Sequence, residues 1–268
     1  MKIVSWNCHY GFTPEKVEAI KQYDADILVI QECREIDMVN ATGYDTEHWD
    51  WYGDHEEVKN LSGDNKIKRD LGIGVFWKKD IGISIKQKDE WKNSLSKNCD
   101  FRYLVPYEVK GKFKTFTLIA VWTKDRIKKN PEDKYEYVEK AHAAIDKYNE
   151  LNLLEGRVIL IGDFNSNTIW DPCYRKGQKH TDFENKLNEM KIQNCSMLLE
   201  AKSNDTYYYY YKNQEKKVVN DYCFASIDID KSPKLYIPDS KEWIPYENWS
   251  KRWRGLSDHC PISVKFNF

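Results

Sequence analysis

Four apolar runs in this sequence each end on short oxygen-bearing side chains. They are Ile3-Val4-Ser5-Trp6-Asn7, Ile27-Leu28-Val29-Ile30-Gln31-Glu32, Val158-Ile159-Leu160-Ile161-Gly162-Asp163-Phe164-Asn165 and Val218-Val219-Asn220-Asp221. A fifth polar knot, Ser257-Asp258-His259, precedes the apolar stretch Pro261-Ile262-Ser263-Val264. Buried strands aim their ends at one rim of a fold, so these amides, carboxylates and the imidazole are expected to meet there. Such a set suits a hard divalent cation and a phosphoester.

Taken singly, Glu32 reads as a strand-end carboxylate reaching water, and Asn7 as a residue that turns the backbone. Together they gain meaning, because their strands are joined by one short helix and can lie side by side. Mg²⁺ takes one or two carboxylates, keeps several waters and lets substrate phosphate complete its shell. In Gly162-Asp163-Phe164-Asn165, extended backbone projects Asp163 and Asn165 to one side and Phe164 to the other. A carboxylate and an amide on one side can orient a water and hold a phosphoryl oxyanion. Ser257-Asp258-His259 is not a serine triad, since adjacent residues of an extended chain point apart. His259 is better paired with Asp221, which would fix the imidazole tautomer and leave the other ring nitrogen for a phosphate oxygen or water.

The elements that position these groups are mostly strands. Thr13-Pro14-Glu15 opens a short helix through Val17 and Ile20, by its capping residue, its first-turn proline and its acidic start. Strands are expected around Tyr44–Trp51, Leu71–Trp77, Ile81–Ile85, Arg102–Val109 and Thr115–Val121. Gly72 and Gly74 hint at close backbone approach. Helical spacing of Val138, Ala141, Ile145 and Tyr148 predicts a helix from about Glu132 to Leu151. A second helix carries Phe183, Leu187 and Met190. Strands return at Thr206–Tyr211, Val218–Phe224 and Ile262–Phe266, and Gly53–Asp70, Lys124–Lys134 and Asp171–Lys179 read as surface loops. No repeat or long linker divides the chain, so residues 1–268 are expected to form one α+β domain with two packed sheets flanked by helices.

The bulk numbers restrict the function classes. Lys+Arg total 42 against Asp+Glu 43, a net charge of -1. No global positive field exists to gather long polyanions, so any nucleic-acid site must be a local patch. The 7 cysteines are scattered without a Cys-x-x-Cys pair, which reads as free thiols in a reducing compartment. There is no signal-peptide pattern and no bilayer-length apolar run, so a cytoplasmic protein away from membranes is expected. Cys8-His9 and Cys33-Arg34 flank the proposed ligands but lack the soft-ligand spacing of a zinc site, and read as residues shaping the pocket.

Ser5-Trp6-Asn7, Gln31-Glu32, Gly162-Asp163-Phe164-Asn165, Asn220-Asp221-Tyr222 and Ser257-Asp258-His259 together resemble the endonuclease/exonuclease/phosphatase superfamily, in that family's order and over almost the whole chain. The resemblance implies a DNase I-like four-layer α/β/β/α sandwich with two central mixed sheets. It implies Mg²⁺, with Mn²⁺ as substitute, held chiefly by Glu32 with Asn7 beside it and Asp258 near that metal or a second one. Asp163 would orient or deprotonate the attacking water, Asn165 would hold phosphoryl oxygens, and His259, oriented by Asp221, would contact the scissile phosphate. Either His259 or Asp163 would be the base, and attack would be in line without a covalent intermediate. One departure stands out. Where many members carry a His or Tyr after the Thr115–Val121 strand, this chain reads Trp122-Thr123-Lys124, so Trp122 and Lys124 would share that contact or leaving-group assistance would be weaker.

Substrate clues are fewer. In Trp249-Ser250-Lys251-Arg252-Trp253-Arg254 the basic groups suit phosphate and the aromatic faces suit stacked bases, with Arg252, Trp253 and Arg254 as substrate-binding candidates. A loop whose tryptophans wedge into the core fits equally. Three functions follow: a metal-dependent nuclease on DNA or RNA, the same chemistry on a small phosphoester, or a non-catalytic nucleic-acid-binding regulator. The intact acid, base and metal set argues against the third. A monomer is expected, and no protein partner can be inferred.

Overall fold

The computed structural model describes residues 1–40, 48–53, 63, 70–94, 103–111, 115–123, 137–174, 176–196, 205–211, 214–230, 233–238, 243 and 256–267. Its strands are β1 (Lys2–Asn7), β2 (Ile27–Cys33), β3 (Trp49–Gly53), β4 (Gly72–Trp77), β5 (Ile83–Gln87), β6 (Leu104–Gly111), β7 (Thr115–Trp122), β8 (Val158–Asp163), β9 (Ile192–Asn194), β10 (Tyr207–Tyr211), β11 (Gln214–Val218), β12 (Asp221–Ser226), β13 (Lys234–Tyr236) and β14 (Ile262–Lys265). Its helices are α1 (Pro14–Lys21), α2 (Glu35–Asn40), α3 (Asp89–Ser94), α4 (Val138–Glu150) and α5 (His180–Glu189). The strands form two mixed six-stranded sheets, in the orders β13-β14-β1-β2-β4-β3 and β5-β6-β7-β8-β12-β9, with β10 and β11 making a separate ribbon. With their flanking helices, the two sheets are the DNase I-like fold expected from sequence.

The described residues fall into two compact units, each assembled from three stretches of chain. In the first (residues 1–81, 202–221 and 234–265), β1 and β2 run parallel, with β14 antiparallel to β1 and β4 antiparallel to β2. Both strands of the parallel pair are buried almost throughout, as continuous apolar runs covered on both faces should be. The two glycines of β4 permit close packing. A Cβ on Gly74 would meet Met38 Sδ at 2.7 Å, and one on Gly72 would meet Tyr52 O at 2.3 Å.

In the second unit (residues 82–201, 222–233 and 266–268), β7 and β8 run parallel, β6 and β7 antiparallel, and β12 pairs antiparallel with β9. The apolar face of α4 is the expected one, with Val138, Ala141, Ile145 and Tyr148 all buried. The Tyr148 hydroxyl donates to Leu104 O, tying α4 to β6.

Several boundaries differ from expectation. The strand read as Val218–Phe224 is two strands, β11 and β12, interrupted before Asp221, because Asn220 and Asp221 give their N–H groups to Thr206 Oγ1 instead of a ladder. The Asp171–Lys179 loop begins inside a 3-10 turn, Thr168–Cys173. There Asp171 accepts from His180 N at 2.7 Å and so satisfies the start of α5. Met190 caps α5 rather than packing its face. The short helices α2 and α3 and the strands β9 and β13 carried too few residues for periodicity to reveal. Residues 44–47, 132–136 and Arg102 lie outside the described residues.

At Gly162 the backbones of β7 and β8 approach closely. The Gly162 φ is +151°, and a Cβ there would stand 2.0 Å from Val121 O. Gly162→Ala should therefore lower stability by about 3 kcal/mol, read as a shift in the urea unfolding midpoint. An unchanged midpoint would contradict this close approach.

Candidate active site

In the first unit, Asn7 closes β1 directly across from Gln31 of β2. The β2–β4 register then slips between Gln31 and Cys33, leaving Glu32 as the extra residue of a bulge with φ +58°. Bulges re-aim side chains, and a left-handed non-glycine residue costs roughly 1–3 kcal/mol, a strain found mostly at functional sites. The Glu32 carboxylate accepts from Asn7 Nδ2 at 3.0 Å and from Tyr10 N at 3.1 Å. Asn7 and Glu32 are thus neighbours, but the amide faces the carboxylate with its N–H and not with the oxygen expected of a shared ligand set. Asn7 Oδ1 accepts from His9 N at 3.0 Å.

The turn after β1 is held from outside. His9, Tyr10 and Gly11 all have positive φ. The Lys16 ammonium reaches back from α1 to the carbonyls of Cys8, His9 at 2.7 Å and Gly11 at 3.0 Å. Burial pulls the Lys16 pKa down, offset partly by Cys8, Glu32, Asp37 and Asp258. Asp37 completes the clamp, accepting from Phe12 N and binding the Arg34 guanidinium. Arg34 is thereby engaged with its own neighbour.

Asp221 and His259 meet as expected, with His259 Nδ1 and Asp221 Oδ2 2.9 Å apart. The contact is almost completely shielded, with side-chain exposures of 4% and 0%. Asp221 Oδ1 is buried and has no hydrogen-bond partner among the described residues. Thr206 sets both sides of the pair. Its hydroxyl accepts from Asp221 N at 3.1 Å, and its carbonyl accepts from Cys260 N at 2.8 Å. Ser257 is a structural link, donating to Asn7 O at 2.6 Å and accepting from His259 N at 3.0 Å. Asp258 binds His9 Nδ1 at 3.1 Å and lies 4.0 Å from His259 Nε2. Burial alone would raise the Asp258 pKa, but the His9 hydrogen bond and the charges of His259 and His9 outweigh it and hold the carboxyl below its usual range. The carboxylates of Asp258 and Glu32 and the amide oxygen of Asn7 are hard oxygen donors of the kind that Mg²⁺ or Mn²⁺ takes. Burial drives the Cys8 thiol pKa far up, and a soft sulfur is a poor match for Mg²⁺.

In the second unit, Asp163 ends β8 in register with Trp122 of β7. Its carboxylate is wholly buried and accepts from Asn165 N and Asn165 Nδ2, each at 2.8 Å. Asn165 has φ +44°, so the alternation assumed from sequence gives way to a turn that folds the amide onto the carboxylate. Trp122 is buried with its ring edge-on to Tyr103 at 5.3 Å. The next residue, Thr123, donates its hydroxyl to Phe164 O and its N–H to Asp163 O at 3.0 Å. Lys124, Arg252, Trp253 and Arg254 lie outside the described residues.

Sequence reasoning missed the groups that hold this loop from behind. Ser166 Oγ lies 2.9 Å from His180 Nδ1, His180 Nε2 lies 3.6 Å from Glu184 Oε1, and Asn194 Nδ2 donates to that same oxygen at 2.9 Å. Asn167 donates to Tyr222 Oη at 3.1 Å. An i,i+4 His–Glu spacing on a helix was the one available signal. Burial tends to raise the Glu184 pKa, but hydrogen bonds from His180 and Asn194 prevail and lower it. A carboxyl whose folded pKa lies below its unfolded value stabilises at neutral pH and loses that contribution as pH falls through the folded value. Glu184→Gln should therefore cost about 1–3 kcal/mol at pH 7 and much less near pH 3, by urea unfolding at both pH values. A loss that does not shrink in acid would refute the charged contact.

The profile of the Endonuclease/Exonuclease/phosphatase family matches residues 4–259. No curated protein matches this sequence. Similar solved structures include a 3′-5′ exonuclease from Neisseria meningitidis, 15% identical with a TM-score of 0.62, and an AP endonuclease from Archaeoglobus fulgidus, 16% identical with a TM-score of 0.62. A mannosyl-6-phosphatase from Bacteroides thetaiotaomicron is 18% identical with a TM-score of 0.57. Each alignment covers 100% of both chains. With the family profile spanning nearly all of the sequence, this chain belongs to the endonuclease/exonuclease/phosphatase family.

Proposed function

We propose that this chain is a divalent-metal-dependent phosphodiester hydrolase that cleaves DNA or RNA by in-line attack of water. Members of the family are phosphoester hydrolases, and the observation that carries the finer reading is the shielded Asp221–His259 pair. With Nδ1 held by Asp221, His259 would direct Nε2 to a phosphate oxygen. Glu32, Asn7 and Asp258 would hold Mg²⁺ or Mn²⁺, which when bound supplies charge neutralisation at the phosphoryl oxygens.

In the proposed reaction the oxygen of water forms a bond to phosphorus as the bond to the leaving oxygen breaks. Asp163 orients the water and takes its proton, and Asn165 keeps that carboxylate aimed while offering an N–H to the phosphoryl group. Trp122 is in register with Asp163 but brings no titratable group, so leaving-group assistance from this position is weak in the proposed scheme.

A second reading, the same chemistry on a small phosphoester, is favoured by the net charge of -1 and by the likeness to a mannosyl-6-phosphatase. A non-catalytic nucleic-acid-binding role would have no use for an acid, a base and metal ligands kept together.

EDTA should abolish hydrolysis of a generic phosphodiester, and Mg²⁺ or Mn²⁺ should restore it. Glu32→Ala should weaken metal binding by calorimetry, while His259→Ala should lower kcat by about 10²–10⁴ with the circular dichroism spectrum unchanged. If both variants match the wild type, the site is assigned wrongly. A panel of single- and double-stranded oligonucleotides beside small phosphodiesters and phosphomonoesters separates the substrates. Turnover of small esters without oligonucleotide cleavage would remove the nuclease reading.

A further inference from the structure

The opening end of the first sheet carries a row of like charge. Lys2 of β1 stands opposite Lys265 of β14, and Lys265 stands opposite Lys234 of β13, so the three side chains leave one face of the sheet. Two residues on, and so on the same face, Tyr236 pairs with Ser263. Together with Gln22 and Tyr23, these residues line a cavity of about 400 Å³. Lys2 opens the strand that Asn7 closes, which separates the cavity from the Asn7 end by about 16 Å of extended chain.

Like charges directly across a sheet repel, and among the described residues no carboxylate forms an ion pair with any of the three, Asp24 acting on Lys2 only through space. Neither Lys234 nor Lys265 makes an ion pair among the described residues. Asp26 accepts from the backbone N–H of Lys2 at 2.7 Å, not from its ammonium. Lys2 Nζ is steadied instead by Tyr23 O at 2.6 Å. Lysine on an edge strand often serves to discourage edge pairing, which accounts for Lys234 on β13. It does not account for Lys2 and Lys265, whose strands lie inside the sheet. The aromatic wall is built as well. Tyr23 is buried, its ring 5.7 Å from Trp243 and 6.3 Å from Tyr236, while Tyr236 is 56% exposed.

We propose that this cavity is a second phosphate-binding site, distinct from the Asn7–Glu32–His259 end of the sheet, which takes the phosphate of a nucleotide on Lys2, Lys234 and Lys265 and its base against Tyr236. Three ammonium groups that form no ion pair among the described residues match a doubly charged phosphate monoester. An exposed tyrosine ring on a fixed aromatic base suits stacking. The nucleotide is either free or the 5′ end of a strand, since both present this chemistry.

The test is calorimetric titration of the full chain with AMP in EDTA and low salt, conditions that do not depend on hydrolysis. Saturable binding is expected, weakening as salt rises, about tenfold weaker in Lys265→Glu and in Lys234→Glu, and unchanged in His259→Ala. Ribose 5-phosphate and adenosine should each bind less tightly than AMP. A 5′-phosphorylated oligonucleotide binding more tightly than AMP assigns the site to a strand end; equal or weaker binding assigns it to a free nucleotide. Both charge reversals sit at exposed positions, and melting temperatures near the wild-type value establish that they fold. No saturable binding, affinity untouched by both lysine variants, adenosine equal to AMP, or loss of binding in His259→Ala would each overturn the proposal. Inactive enzyme that still binds AMP through these lysines would refute the hydrolase reading alone.

Discussion

A carboxylate with no exposed side-chain surface, Asp221, is costly to bury without a partner, and His259 is its match. The arrangement around the pair follows from that requirement. Thr206 spends its hydroxyl on the backbone at Asp221 and its carbonyl on the backbone beyond His259, so the two partners are brought together through their main chains. Ser257 connects the same stretch to Asn7 O, and the Trp6 indole donates to His259 O at 2.9 Å. A break in any of these would leave a charged group buried beside a misplaced ring, which is costlier than losing an ordinary hydrogen bond.

The second recurring feature is left-handed backbone at the ends of strands. Glu32 has φ +58° and Asn165 φ +44°, and both are non-glycine residues. A regular strand alternates its side chains between faces, so a polar group at its end is aimed wherever the pleat dictates. The bulge at Glu32 and the turn at Asn165 break that rule and re-aim the groups. The strain is supported by neighbours that sequence proximity does not suggest, including Lys16 on the turn after β1 and the Ser166–His180–Glu184 contacts behind the Asp163 loop.

Much of this was legible beforehand, for identifiable reasons. Long apolar runs such as Ile27–Ile30 and Val158–Ile161 can only be buried strands or buried helix, and their short length and β-branched content decide for strand. The α4 face was legible because Val138, Ala141, Ile145 and Tyr148 recur at helical spacing. Short elements were not legible: α2, α3, β9 and β13 are too brief for periodicity to rise above chance. The break before Asp221 was hidden because its cause, the Thr206 hydroxyl, lies 15 residues upstream. The edge-on packing of Trp122 on Tyr103 was also hidden, because it depends on the pairing of two strands.

Residue order by itself determined which strands end on polar groups, because strand runs and the polar knots that end them are local patterns, and the ordered motifs pointed to the family that the profile shows. Tertiary structure alone decided how those side chains are aimed. The Asn7 amide turns its N–H toward Glu32, Asp258 takes His9 as a partner, and Lys2, Lys234 and Lys265 fall into one row. Each of these depends on strand register and backbone handedness, which are set by contacts between residues far apart in the chain and leave no mark on the residues themselves.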